Sequence, residues 1–249
     1  MKTIFKSFFL SIIVIILSCS GTKDDSSKTC NGNCNIFKGR IYREDNIGLA
    51  NVEVKVVYRL NQIGANYTRI IAKNFTDSNG NFQIEGFIKD SEFKGGIFIL
   101  QADEPKIESL LTNEFYKLSE LVSVSGIQSN EYIISNLTNR NQITTIDYKV
   151  PYKTNLIVQL NNYSPISTND YFGVGNIIKY GFQSDFNIFY TKVSNSGFGY
   201  ANSFNTTINL PSVNGENSIR IIKSINNSST STDQIVNLTS SNQEITFTY

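Results

Sequence analysis

The 249-residue sequence contains no histidine, and with it go the usual neutral-pH proton shuttle and the commonest transition-metal ligand. Serine and cysteine triads built on an imidazole base are excluded. Tryptophan is absent too, which removes the broadest ring for stacking against a sugar. Charge is scarce and balanced: 22 basic and 21 acidic residues leave a formal net charge of +1. Such a chain has no basic field to gather phosphates, so no nucleic-acid partner is expected. What is present is 40% hydrophobic and 12% aromatic residues, enough for a real core under a surface of Asn, Ser and Thr rather than ions. The length suits one large or two ordinary domains.

At the N-terminus, Lys2 and Lys6 precede an apolar run from Phe8 to Leu17 that is interrupted by Ser11. The run is shorter than the about 20 residues a spanning helix needs. A basic start, a short apolar middle and a small residue before a cut are the grammar of a secretory signal, here with the cut between Ser18 and Cys19. The stretch Ile16-Leu17-Ser18-Cys19 resembles the lipobox of bacterial lipoprotein signals, with Leu17 where that family prefers a small residue. The resemblance implies that residues 1–18 are a signal peptide and that Cys19 is lipidated. A thiol is the nucleophile that accepts a diacylglyceryl group, and each buried methylene then adds about 0.8 kcal/mol of membrane affinity. An uncleaved anchor helix, or an ordinary secretory signal with a chance cysteine, is the alternative.

Residues 19–34 read as a tether. Ser20 to Lys28 is polar and without periodicity, which predicts flexibility. Its Lys23-Asp24-Asp25 step resembles the acidic export signal of surface-exposed lipoproteins of the Bacteroidetes group; a solvated spacer is the plainer alternative. The location this implies is the outer membrane, at the cell surface, with the periplasmic face as the other choice. Cys30 and Cys34 form an even pair in an exported chain, which reads most simply as a disulfide across the Asn31-Gly32-Asn33 turn. Two thiolates without histidine fall short of the four ligands of structural zinc, so no metal site is expected. Nothing cationic or helical lies nearby in sequence to depress a thiol pKa for redox chemistry.

From Asn35 to Asp103 the pattern alternates with a period of two, the mark of half-buried strands. Phe37, Gly39 and Ile41 share one face. Val52, Val54, Val56 and Tyr58 share another, with Glu53, Lys55 and Val57 opposite, and Phe82 and Ile84 alternate with Gln83 and Glu85. Asp77-Ser78-Asn79-Gly80 supplies the side-chain acceptor and the positive-φ glycine of a tight hairpin. Asp77, Asn79 and Asn81 also invite a calcium reading, but the EF-hand template wants glycine and glutamate where this chain has Phe82 and Ile88, so a turn is favoured. "GRIYREDNIGLANVEVKV" followed by "TDSNGNFQI" resembles the carboxypeptidase-regulatory-like, transthyretin-like domain, having Gly48-Leu49-Ala50-Asn51-Val52 where proline would be typical and keeping the hydrophobic spacing. The resemblance implies an immunoglobulin-like β-sandwich over residues 35–103 that serves as a structural or binding accessory and carries no catalytic residues.

Residues 104–143 read as a connecting segment with a short helix and strands. Ile107, Leu110, Leu111, Phe115 and Leu118 recur at threes and fours, and Pro105 suits a first helical turn. From residue 144 to 249 the alternation returns: Leu156, Val158 and Leu160 share a face, and Ile245, Phe247 and Tyr249 point inward on a closing strand. A second β-sandwich is the economical reading, which makes the chain all-β, two sandwiches in tandem with one helical crossover. Between Tyr163 and Phe204 aromatics are dense among Asn, Ser and Gly. Tyr171, Tyr180, Tyr190 and Tyr200 are candidate ligand-facing rings for a glycan or peptide, against the plainer view that they fill a core.

These features point to a non-enzymatic, lipid-anchored envelope protein acting in binding, adhesion or polymer capture. Its partners would be the membrane, through the lipid, and an extracellular glycan or protein; no cofactor is implied. A structural subunit of an outer-membrane assembly is the second reading. A third is a glycan hydrolase using paired carboxylates such as Asp170 and Asp185, since that chemistry needs no histidine.

Overall fold

The alternating segments form strands, and the protein is nearly all β. The computed structural model describes residues 21–62, 65–123, 130–184, 188–191, 199–201, 207–239 and 241–249. In chain order the strands are β1 (Gly21–Asp24), β2 (Asn35–Arg43), β3 (Glu53–Gln62), β4 (Ala65–Phe75), β5 (Asn81–Gly86), β6 (Ile97–Ala102), β7 (Leu121–Ser123), β8 (Glu131–Ile133), β9 (Ile143–Thr145) and β10 (Tyr148–Val150). There follow β11 (Lys153–Asn161), β12 (Tyr171–Lys179), β13 (Gly181–Phe182), β14 (Ile188–Thr191), β15 (Gly199–Ala201), β16 (Thr207–Val213), β17 (Gly215–Ile225), β18 (Ser228–Leu238) and β19 (Gln243–Thr248). Among the described residues one α-helix, α1, spans Glu104–Ser109.

The chain divides into two compact units that interleave. The first holds the chain through Arg40, Ala50–Asp103 and Glu131–Ile146; the second holds Ile41–Leu49, Glu104–Asn130 and Asp147–Tyr249. Linear segments of 35–103, 104–143 and 144–249 therefore do not coincide with the units. Strand pairing is made through space, and a period of two does not say which sheet a strand joins.

In the first unit one sheet runs β1-β4-β3-β6-β8, while β2 pairs antiparallel with β5 and parallel with β9. Phe37, Val52, Val54, Val56, Phe82 and Ile84 are buried, as their alternation predicts. Gly39 is required by close approach: a Cβ there would lie 1.8 Å from the carbonyl oxygen of Ile146, so β9 can pass only where β2 has no side chain. The two stretches quoted for the transthyretin-like resemblance meet at Thr76. Its hydroxyl accepts from the amide of Val52, its amide donates to the Val52 carbonyl, and its carbonyl accepts from the Asn51 amide. Asp77 closes the hairpin by accepting from the amides of Asn79 and Asn81 at 2.8 and 2.9 Å, with Gly80 at φ +80°. Val57 departs from the expected outward face and is 2% exposed. Opposite it the register slips: Val56 pairs with Ala72 and Val57 with Ile70, leaving Ile71 as the extra residue of a bulge,.

In the second unit β11 lies between β16 and β19, and a larger sheet runs β18-β17-β12-β14-β7 with β15 also on β12. Both sheets send side chains into one core: Leu156, Val158 and Leu160 from β11 meet Phe172, Val174, Ile219 and Ile221, with Ile245, Phe247 and Tyr249 packed against them. This is the sandwich geometry the closing strand predicts. Ile41 to Arg43 pair with β10, which pairs with β13. β12 breaks the alternation, because Phe172 to Ile178 are all buried; a central strand shielded on both faces loses its polar side. The helical grouping is realised only in α1 and in a single 3-10 turn at Leu118–Glu120. Leu111, Phe115 and Tyr116 are nonetheless buried, so apolar spacing reflects coverage of a core rather than a continuous helix. Asparagine does much of the turning: Asn46, Asn51, Asn141, Asn162, Asn226, Asn227 and Asn242 all adopt positive φ, a conformation its short polar side chain tolerates.

Candidate functional site

The segment that follows the signal is built into the first unit rather than hanging from it. β1 pairs in parallel with β4, Gly21 opposite Tyr67 and Asp24 opposite Ile70, and the Asp25 amide donates to the Ile70 carbonyl at 2.9 Å. Arg69 is the reason. Its guanidinium is 3% exposed and meets Glu92 in a two-pronged pair, Nε to Oε1 at 2.7 Å and Nη2 to Oε2 at 2.5 Å. Nη1 reaches Asp25 Oδ2 at 3.5 Å and Nη2 donates to the Phe87 carbonyl. Glu92 is further held by the Lys89 amide at 2.9 Å. The hydrogen bond from Lys28, with Lys23 and Arg69 nearby, lowers the Asp25 pKa, while burial opposes it.

The expected flexible tether is thus corrected over Gly21 to Asp25, and the Lys23-Asp24-Asp25 step has a structural task whatever else it does. Polarity without periodicity looked like solvated chain; a buried arginine 44 residues away is what recruits it. Cys30 and Cys34 form a disulfide with Cα atoms 6.0 Å apart, across a turn in which Gly32 takes φ +95°. Cys19 lies outside the described residues. Among the described residues no group of three or more potential metal ligands occurs.

The four candidate aromatics do not form a site in the described part of the second unit. Tyr180 faces inward and is fully buried, which removes it from the candidate ligand-facing rings and fits the core-filling alternative: its hydroxyl donates to Glu104 Oε1 at 2.8 Å, and the buried Tyr148 hydroxyl donates to Glu104 Oε2. The phenols solvate a carboxylate at the start of α1, and burial pushes both their pKa values well up, with Glu104 adding to the effect. Tyr171 is half-buried on β12. The side chains of Tyr190 and Tyr200 lie outside the described residues. Asp170 is also committed: it accepts from the amides of Ile166, Ser167 and Asn226 and from the Ser167 hydroxyl, contacts of 2.8–3.2 Å that lower its pKa. An acid catalyst needs the opposite shift. Asp185, its suggested partner, lies outside the described residues.

A shallow cleft of about 500 Å³ in the second unit is lined by Tyr116, Glu120, Lys153, Asn155 and Pro211, among others. Lys153 Nζ pairs with Glu120 Oε1 at 2.6 Å and sits 5.8 Å from the Tyr116 ring, whose hydroxyl donates to the Ser212 carbonyl. Glu120 also accepts from the Lys117 amide. The cleft's Lys153 and Glu120 satisfy each other, and the rest of its lining is mostly apolar. No local motif announces it, because its residues come from three distant parts of the chain.

No family model matches the chain, and no curated protein does. Among solved structures it is similar to the TIE protein of Bacillus anthracis, with 11% identity, 88% of this chain and 34% of that one covered, and a TM-score of 0.27. A lipoxygenase from Cyanothece gives 19% identity, coverage of 67% and 25%, and a TM-score of 0.31. A streptococcal ancillary pilin gives 11%, 89% and 64%, and 0.31. The chain spans about a third of the first of these proteins and a quarter of the second. Likenesses this distant carry no argument about function.

Proposed function

We propose that this chain is a non-enzymatic, lipid-anchored protein of the bacterial outer membrane that displays its β units at the cell surface for binding or polymer capture. The observation that carries the reading is the lipobox-like Ile16–Cys19 standing two residues ahead of β1. A lipidated thiol there couples the hydrocarbon directly to a folded unit. Asp170, one of the two carboxylates the sequence offers for hydrolysis, is committed to closing a loop through the amides of Ile166, Ser167 and Asn226. Mass spectrometry of the protein extracted from its native membrane is expected to find residues 1–18 removed and a diacylglyceryl thioether on Cys19. A bare Cys19, or a retained leader, overturns the proposal. Cys19→Ala is expected to move the protein into the soluble fraction.

One observation favours the second reading, a structural subunit of an outer-membrane assembly. Among the described residues β18 is an edge strand of 11 residues, paired with β17 and exposed along Ser228–Ile235. Long open edges are places where another chain adds a strand. Co-purification of a stoichiometric protein partner, without retention on a glycan panel, would select this reading over polymer capture.

A further inference from the structure

The register of β1 fixes which end of the first unit meets the anchor. β1 runs parallel to β4 and starts opposite Tyr67, near the point where β4 itself starts at Ala65. β3 finishes at the same end, and β6 begins there, Ile97 opposite Arg59. One residue, Ser20, separates Gly21 from Cys19, and two residue steps reach at most about 7 Å,. Both ends of β1 are secured, by its pairing at Gly21 and by Asp25 on the buried Arg69.

We infer that this end of the sheet, carrying Leu60, Tyr67, Phe93, Lys94 and Ile97, rests on the lipid surface that holds Cys19. The inference deepens the proposed function and rests on Cys19 being lipidated. The surface has the composition an interface wants. Ile97 is 39% exposed, and Lys94, Gly95 and Gly96 are exposed beside it. Behind them Tyr58 packs on Tyr67 and Phe98, Phe93 packs on Phe98, and the Tyr58 hydroxyl donates to the Gly95 carbonyl at 2.8 Å. An apolar side chain, amphipathic rings and a lysine able to reach phosphate form the mixture that settles at headgroup depth. A domain on a long tether would have no preferred side; one joined through a single residue, Ser20, has little freedom to choose another.

The absence of tryptophan makes the test direct. Full-length, membrane-extracted protein carrying Ile97→Trp or Ser78→Trp is reconstituted into vesicles with and without brominated phosphatidylcholine. Ser78 lies in the turn beyond the far end of β4, a strand of about 35 Å. Ile97→Trp is expected to lose most of its emission to bromine and Ser78→Trp to keep it. A Gly/Ser spacer of about 20 residues inserted between Ser20 and Gly21, with a mean reach of about 25 Å, is expected to abolish the quenching while the protein still floats with the vesicles. Equal quenching at both positions, or none at Ile97→Trp in protein that floats, overturns the orientation alone. Protein that fails to float and has a bare Cys19 overturns the anchoring reading and the orientation with it.

Discussion

The two units bury carboxylates by different means. In the first unit they meet arginine: Glu92 and Asp25 surround Arg69, and Glu131 takes Arg59 in a two-pronged pair at 2.7 and 3.2 Å. In the second they are held by neutral donors: Glu104 by the phenols of Tyr148 and Tyr180, Asp170 by three loop amides and a serine hydroxyl. An ion pair ties segments far apart in sequence, and losing one member leaves a buried charge uncompensated. Neutral donors also join distant segments, Tyr180 lying 76 residues after Glu104, but losing one leaves the rest in place,. Glu92 balances the Arg69 charge, and Asp25, paired with Lys28 at 2.9 Å, adds a second carboxylate 3.5 Å from Nη1 that ties the N-terminal segment to the first unit.

The largest effect that would sharpen this comparison is Glu92→Gln, which strands the Arg69 guanidinium. Urea unfolding is expected to show a loss of about 3–5 kcal/mol, with trypsin cutting at Lys23 and Lys28 in conditions that spare the parent. Adding Arg69→Met should restore part of the loss, because an apolar side chain of similar length has no charge to neutralise. Tyr180→Phe in the second unit keeps volume and removes one of the donors to Glu104, so a smaller loss of about 1–3 kcal/mol is expected by the same measurement. Equal losses for the two variants would break the distinction between ionic and neutral burial.

Titration separates the buried phenols from the carboxylates by sign. Burial raises the pKa of Tyr116, Tyr148 and Tyr180, with Glu120 or Glu104 adding to it. Folding therefore holds these phenols protonated. Their contribution is fully present below about pH 10, the ordinary tyrosine value, and is lost as pH rises beyond it. Phenolate absorbance is expected to show these tyrosines ionising together with unfolding, after the exposed ones. Asp25 is lowered chiefly by Lys28, and Asp170 chiefly by the Ile166 and Asn226 amides. Their contribution is present above about pH 4 and is lost as pH falls further. This acid effect is the smallest of the set, expected as a modest shift in the urea midpoint between pH 5 and 3; a rise in stability over that range would contradict the assignments.

Much of the fold was legible in the strands. Phe82 and Ile84 against Gln83 and Glu85, or Leu156, Val158 and Leu160, declare a buried face because the side-chain period of a strand is two. The Asp77–Gly80 turn was equally plain, since Asp77 offers the acceptor and Gly80 the positive φ. β12 was not, because a strand covered on both faces looks the same as any apolar run. The candidate site was less legible still. Arg69 in "YTRIIAK" looks like an ordinary outward residue, and nothing local marks it as 3% exposed. Tyr180 looks like a neighbour of three other ligand-facing tyrosines until Glu104, 76 residues earlier, is found against its hydroxyl.

By itself the sequence determined the class of the protein: all-β from its alternation, with a pair of cysteines close enough to join and no imidazole chemistry. Those properties depend on residues within a few positions of one another, where covalent geometry and periodicity act. Only the tertiary structure decided which segments share a sheet, that Asp25 is pinned by Arg69, and that Tyr180 serves the interior. These are contacts between residues brought together by folding, and burial, which sets the strength of every charge and hydrogen bond among them, is a property of that arrangement.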